Sequence, residues 1–99
     1  YLYPDEYRRI WNQVCIDNNI SCDPDVLEHV IVDLHQRQAT PLAPCHPRDL
    51  LGLAMDHLAY IGQPRRVRRE DLDWAWKNYF VSLKPGDSAR HATALDGGR

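Results

Sequence analysis

Cys45-His46-Pro47-Arg48-Asp49-Leu50-Leu51 is the stretch on which the reading of this 99-residue chain turns. Pro47 suits the first position of a helix, where its missing N–H leaves no intrahelical bond unmade. Behind it, Leu50, Leu51, Ala54, Leu58 and Ile61 recur at helical spacing, with Leu53 and Met55 widening the stripe as far as Gly62, a fitting helix cap. The spacing predicts a helix from about Pro47 to Ile61 that touches more than one neighbouring helix. Arg48 then falls in the first turn, where the helix dipole disfavours a cation by a few tenths to about 1 kcal/mol. A positive charge there calls for help from Asp49 or for an anion outside the helix.

Upstream, Thr40-Pro41, Ala43-Pro44 and His46-Pro47 keep the approach extended, because a residue before proline avoids the α region. Before that, a second helix is expected from about Pro24 to Gln38, with Asp23 as N-cap and Val26, Leu27, Val30, Ile31 and Leu34 as its buried face. The first helix should run from about Pro4 to Asp17. Asp5 and Glu6 favour its start, Tyr7, Ile10, Trp11, Val14 and Cys15 make one apolar stripe, and Asn18-Asn19 ends it. Downstream, Gln63 to Arg69 reads as a short link with Val67 tucked against the core. A fourth helix follows to about Phe80, its face formed by Leu72, Ala75, Trp76, Tyr79 and Phe80, with Trp74 off that face. No strand pair and no repeat is expected. The predicted fold is all-α, a small four-helix bundle over residues 1–83 with the third helix central. Residues 84–99, rich in Gly, Ser, Ala, Asp and Arg, are expected to be a disordered tail.

Hydrophobic residues are 43% and charged residues 26%, which is a globular composition, and a net charge of −2 argues against a strong generic nucleic-acid binder. No apolar run approaches the roughly 20 residues of a bilayer span, so no membrane partner is expected. No signal peptide is recognised, and the opening on Tyr1 suggests a piece of a longer protein. Cys15, Cys22 and Cys45 lack C-x-x-C spacing and read as reduced thiols of a cytoplasmic protein. There is no phosphate-binding glycine loop, no G-x-S-x-G and no H-E-x-x-H, while His29, His35, His46, His57 and His91 are scattered. A Cys45 nucleophile would lack an oxyanion hole, so the chain alone is not expected to catalyse a reaction. Cys22, Cys45 and His46 match no familiar zinc spacing, and no metal site is expected.

Arg65-Arg66-Val67-Arg68-Arg69 could clamp phosphates, either of a nucleotide or of DNA in a helix-turn-helix or winged-helix arrangement. The competing reading is a solvated turn whose charge is offset by Glu70, Asp71 and Asp73. A helix opening Glu70-Asp71-Leu72-Asp73-Trp74 would repel a DNA backbone, which makes DNA the weaker partner. Trp74 is a candidate partner contact.

Taken in order, these elements resemble the C-terminal helical lid of an AAA+ ATPase over roughly Tyr3 to Val81. Lids of that family are small helical bundles that follow a nucleotide-binding α/β domain, and their third helix opens on an arginine called sensor 2. His46-Pro47-Arg48-Asp49-Leu50-Leu51 matches that position, Pro4-Asp5-Glu6-Tyr7-Arg8-Arg9-Ile10-Trp11 is similar to the entry segment, and Glu70-Asp71-Leu72 opens the last helix. His46 departs from the pattern, where a small residue is usual. The resemblance implies that Arg48, flanked by His46 and Asp49, approaches the γ-phosphate of ATP held with Mg2+ by an upstream domain. It also implies neighbouring subunits of a homo-oligomer as partners, an ATPase as the full-length parent, and no cofactor or turnover for the fragment alone.

Overall fold

Prolines near the start of α1, α2 and α3, and left-handed residues after α1 and α3, set where these helices begin and end. The computed structural model describes residues 1–83, and the expected tail over 84–99 lies outside them. In order come α1 (Pro4–Asp17), β1 (Ser21–Cys22), α2 (Pro24–Glu28) running straight into a π-helical segment (His29–Gln36), α3 (Cys45–Tyr60), β2 (Arg66–Val67) and α4 (Arg69–Leu83). The fold is mostly helical. Among the described residues no helix is long and apolar enough to cross a membrane.

At the start of α1, the Tyr3 N–H donates to the Glu6 carboxylate at 2.9 Å, one half of a capping box. Its end is the asparagine stop read from the sequence. Asn19 takes a left-handed φ of 58°, and the Asn19 and Ile20 N–H groups return to the carbonyls of Ile16 and Cys15, the two bonds of a Schellman cap. Helix α3 closes in the same way. Gly62 sits at φ 73°, and the Gly62 and Gln63 N–H groups bond the Ala59 and Leu58 carbonyls at 3.2 and 2.8 Å.

The second helix is where periodicity misleads. Instead of one α-helix to Gln38, the winding widens after Glu28, and the Arg37 N–H reaches five residues back, to Val32 (3.1 Å). The segment ends on Ala39 at φ 53°, a left-handed position where a Cβ costs roughly 1–2 kcal/mol. Ala39→Gly should therefore stabilise the chain by about 0.5 kcal/mol, the relieved strain exceeding the extra entropy of the unfolded chain. Urea unfolding reads this directly, and a loss of stability would show that Ala39 is not strained.

Helix α3 begins two residues before the expected Pro47. The cause is His46, whose Nδ1 accepts the Ala43 N–H at 3.3 Å while its own N–H donates to the Ala43 carbonyl at 3.2 Å. Pro47 is thus the third helical residue, still among the N–H groups that have no intrahelical partner. Arg48 is the fourth and feels little of a dipole whose effect fades within the first turn.

A second correction is the strand pair. β1 and β2 run parallel with Ser21 opposite Arg66 and Cys22 opposite Val67, and the Ser21 N–H donates to the Arg65 carbonyl at 3.0 Å. Val67 is buried, as its lone apolar character suggests. The pair fastens the arginine link against the connection between α1 and α2.

Helix α3 packs mainly on α4 and α1. Tyr7, Trp11, Leu50, Leu51, Leu58 and Leu72 are the largest apolar side chains buried in full. Ile61, expected in the core, is 44% exposed, because it is the cap residue where the chain leaves the helix. Phe80 and Tyr79 are half-buried on α4, as expected of its apolar face. Below them lies a buried polar pair. The Tyr7 hydroxyl donates to His35 Nε2 at 2.9 Å, and His35 Nδ1–H donates to the Thr40 carbonyl at 3.0 Å. The rings of His46 and Trp76 close around it at 5.0 and 4.7 Å.

Candidate functional site

Arg48 stands on the outer face of α3 with its side chain 76% exposed. Among the described residues the carboxylate in ion-pair reach is that of its neighbour Asp49, 3.6 Å from Nε. Asp49 is itself engaged elsewhere, since Oδ2 accepts the Tyr79 hydroxyl from α4 at 2.9 Å. One turn further on, Gly52 leaves open space where a Cβ would stand, so the Arg48 side of the helix is clear. Two clefts flank this position. The larger, about 600 Å³ between α3 and α4, is lined by Arg48, Gly52, Leu53, Trp74 and Tyr79. The smaller, about 280 Å³ on the α1 side, is lined by Arg48, Ile20, Leu51, Met55 and Arg65. Asp56 borders both.

His46 does not join Arg48 at the surface. It is buried, its Nδ1 is taken by Ala43, and its ring lies among those of His35, Tyr79 and Phe80. Burial lowers its pKa and keeps it neutral near pH 7. It packs the core and starts the helix. Trp74 is where the off-face reading puts it, 37% exposed, stacked on His57 with ring centres 4.2 Å apart and walling the larger cleft.

The four arginines at the entry to α4 do not form one basic patch. Arg66 pairs with Asp23 at 2.6 Å and Arg69 with Asp25 at 3.2 Å. Arg68 pairs with Asp71 and Glu70. These contacts bind the link to the start of α2 and to α4 itself. Arg65 differs, because its Nη2 donates to the backbone carbonyl of Asn18 at 2.7 Å, and among the described residues it has no carboxylate in ion-pair reach.

Two further arrangements, of His29 with two carboxylates and of Cys22 with Trp11, were not read from the sequence. His29 is clamped between carboxylates, Nδ1 to Asp33 at 2.8 Å and Nε2 to Asp73 at 2.6 Å. Burial alone would lower its pKa, but the bonds to Asp73 and Asp33 outweigh it and raise the imidazole above its ordinary value. The pair His29–Asp33 was visible at i, i+4; Asp73, a whole helix away, was not. Cys22 accepts the Trp11 indole N–H at 3.4 Å, and its bond with Cys15, more than the one from Trp11, holds its thiol below the ordinary range against the effect of burial. Cys15, Cys22 and Cys45 are all free. Among the described residues no group of three or more His, Cys, Asp or Glu side chains is placed to hold a metal ion.

The family described as "Domain of unknown function (DUF8689)" matches residues 3–78. The chain belongs to that family. No curated protein and no solved structure matches it. The span of this DUF8689 chain that matches takes in all of α1, α2 and α3 and most of α4. Arg48, Arg65, Trp74 and both clefts lined by Arg48 except for Tyr79 fall inside it.

Proposed function

We propose that this domain is the helical lid of a cytoplasmic AAA+ ATPase, and that Arg48 is its sensor-2 arginine. The observation that carries the reading is the setting of Arg48: exposed, held among the described residues only by a loose contact to Asp49, cleared by Gly52 and flanked by two clefts. An arginine that met every need inside its own domain would be locked to a carboxylate, as Arg8 is to Glu28 by two bonds of 2.7 and 2.8 Å. The residues suit a phosphate ligand, because an exposed guanidinium offers a fork of donors that fits phosphate oxygens. Bound ATP would supply the phosphoryl group to be transferred. Arg48 would orient it and stabilise charge developing on it, and the lid angle would follow the nucleotide state. The Trp74–Leu53 face, with its exposed aromatic, is the part of the lid suited to a neighbouring subunit. Three free cysteines suit a reducing compartment.

In the full-length protein, Arg48→Ala should slow ATP turnover about tenfold or more, equivalent to at least about 1.4 kcal/mol of lost stabilisation. A steady-state ATPase assay with a parallel nucleotide-binding measurement tests it. Unchanged turnover together with unchanged nucleotide affinity would remove the assignment.

A further inference from the structure

The geometry points to a two-arginine anion site in the smaller cleft, where Arg65 joins Arg48 to take the phosphate groups of a nucleotide. The identity of the anion rests on the lid reading above; the pairing of the two arginines does not. Arg48 comes from α3 and Arg65 from the link before β2, yet both line the same space of about 280 Å³.

Arg65 is held at both ends. Its carbonyl accepts the Ser21 N–H across the strand pair, and its Nη2 donates to the Asn18 carbonyl at the Schellman cap of α1. A neutral carbonyl positions the guanidinium without cancelling its charge, and four of its five N–H donors remain for a ligand. Arg66, Arg68 and Arg69 spend their forks on carboxylates. Only Arg65, of the four, is oriented and still unneutralised. Ile20, Leu51 and Met55 line the same cleft and are buried, an apolar wall that excludes water from one side and strengthens an anion's attraction there. Two guanidinium forks suit a multiply charged anion with several oxygens better than a single carboxylate. Asp56 is the one acid lining this cleft, so it should weaken anion binding.

The test is an NMR titration of the 99-residue chain with inorganic tripolyphosphate at constant ionic strength, following the arginine Nε–Hε signals. The Arg48 and Arg65 signals should move together with one apparent Kd. Arg65→Ala should weaken binding about tenfold, the equivalent of one charge-assisted hydrogen bond, Arg65→Lys by less, and Asp56→Asn should tighten it. Arg69→Ala, outside the cleft, should have little effect. ATP should displace tripolyphosphate; displacement by duplex DNA but not by ATP would overturn the nucleotide assignment. Movement of Arg48 without Arg65, equal weakening by Arg65→Ala and Arg69→Ala, or no response from either arginine would overturn the paired site. The Arg48→Ala turnover assay stands apart from all three, so the lid reading can survive the loss of this site.

Discussion

Lowering the pH from about 6.5 to about 4 should remove about 3 kcal/mol of stability through His35 alone. Burial is the main cause of the shift: His35 is 1% exposed, and its imidazole is pushed from 6.5 down to about 4. The backbone bonds of Thr40 and Pro41 oppose this, and the neighbouring His46 reinforces it. In that window the unfolded chain binds a proton that the folded chain refuses, so protonation favours unfolding. Nε2 already accepts the Tyr7 hydroxyl and Nδ1–H is already given to Thr40, so an added proton at Nε2 would have to reverse the Tyr7 bond, leaving the hydroxyl hydrogen to find another acceptor beside a buried charge. His46, also lowered by burial, adds to the same limb. His29 acts on the other side. Its folded pKa is raised, so its contribution is complete below 6.5 and fades as the pH climbs through the folded value. Stability should therefore peak close to pH 6.5. Urea unfolding across the range tests this, with His35→Gln expected to flatten most of the acid limb while lowering stability at neutral pH. An acid limb of unchanged steepness in that variant would refute the assignment to His35.

How much of this was legible beforehand differs from residue to residue. Asn18-Asn19, Asp23-Pro24 and Gly62 announced their helix ends, because the backbone conformation each end requires is a local preference of those residue types: left-handed for Asn19 and Gly62, a fixed helical φ for Pro24. Val67 was legible for a related reason, as one apolar residue in a run of arginines. The π-wound segment was not, since Val30, Ile31 and Leu34 fall on a buried face whether the carbonyl reached is four or five residues back. Nor was the left-handed Ala39, which carries none of the glycine or asparagine signal of the other caps. The site divides in the same way. Arg48 could be marked from its helix, although the dipole reason weakens once His46 draws the helix start back to Cys45. His46 looked like a site neighbour because it is adjacent in sequence, but its side chain points into the aromatic cluster. Arg65 was one of four similar arginines until partners more than 40 residues away, Asn18, Asp23 and Asp25, told it apart from Arg66 and Arg69.

Asp71→Ala should destabilise the chain by about 2–3 kcal/mol, the largest loss expected from any single charged side chain. Asp71 is a carboxylate at only 2% exposure, the third residue of α4. It accepts the Arg68 backbone N–H at 2.9 Å and the Arg68 Nε and Nη2 at 3.0 Å each. Burial by itself would raise its pKa, yet the Arg68 bonds outweigh that and hold the carboxyl below its ordinary range. Truncation would leave the backbone N–H of Arg68, at the entry to α4, unpaired and the Arg68 fork without its carboxylate. Asp71→Asn separates charge from shape, because an amide oxygen can still accept the Arg68 N–H. It should recover part of the loss while giving up the two-bond match to the guanidinium. Glu70→Ala is the comparison: Glu70 also reaches Arg68, at 3.2 Å, but its side chain is 70% exposed, and such a pair contributes little. Guanidinium unfolding of the three variants should rank them Asp71→Ala, Asp71→Asn and Glu70→Ala from least to most stable. Since Arg68 directly precedes α4 and follows Val67 of β2, loosening this cap should also loosen the strand pair that holds Arg65. Amide exchange at Ser21, whose N–H bonds the Arg65 carbonyl, should therefore accelerate in Asp71→Ala and stay unchanged in Glu70→Ala.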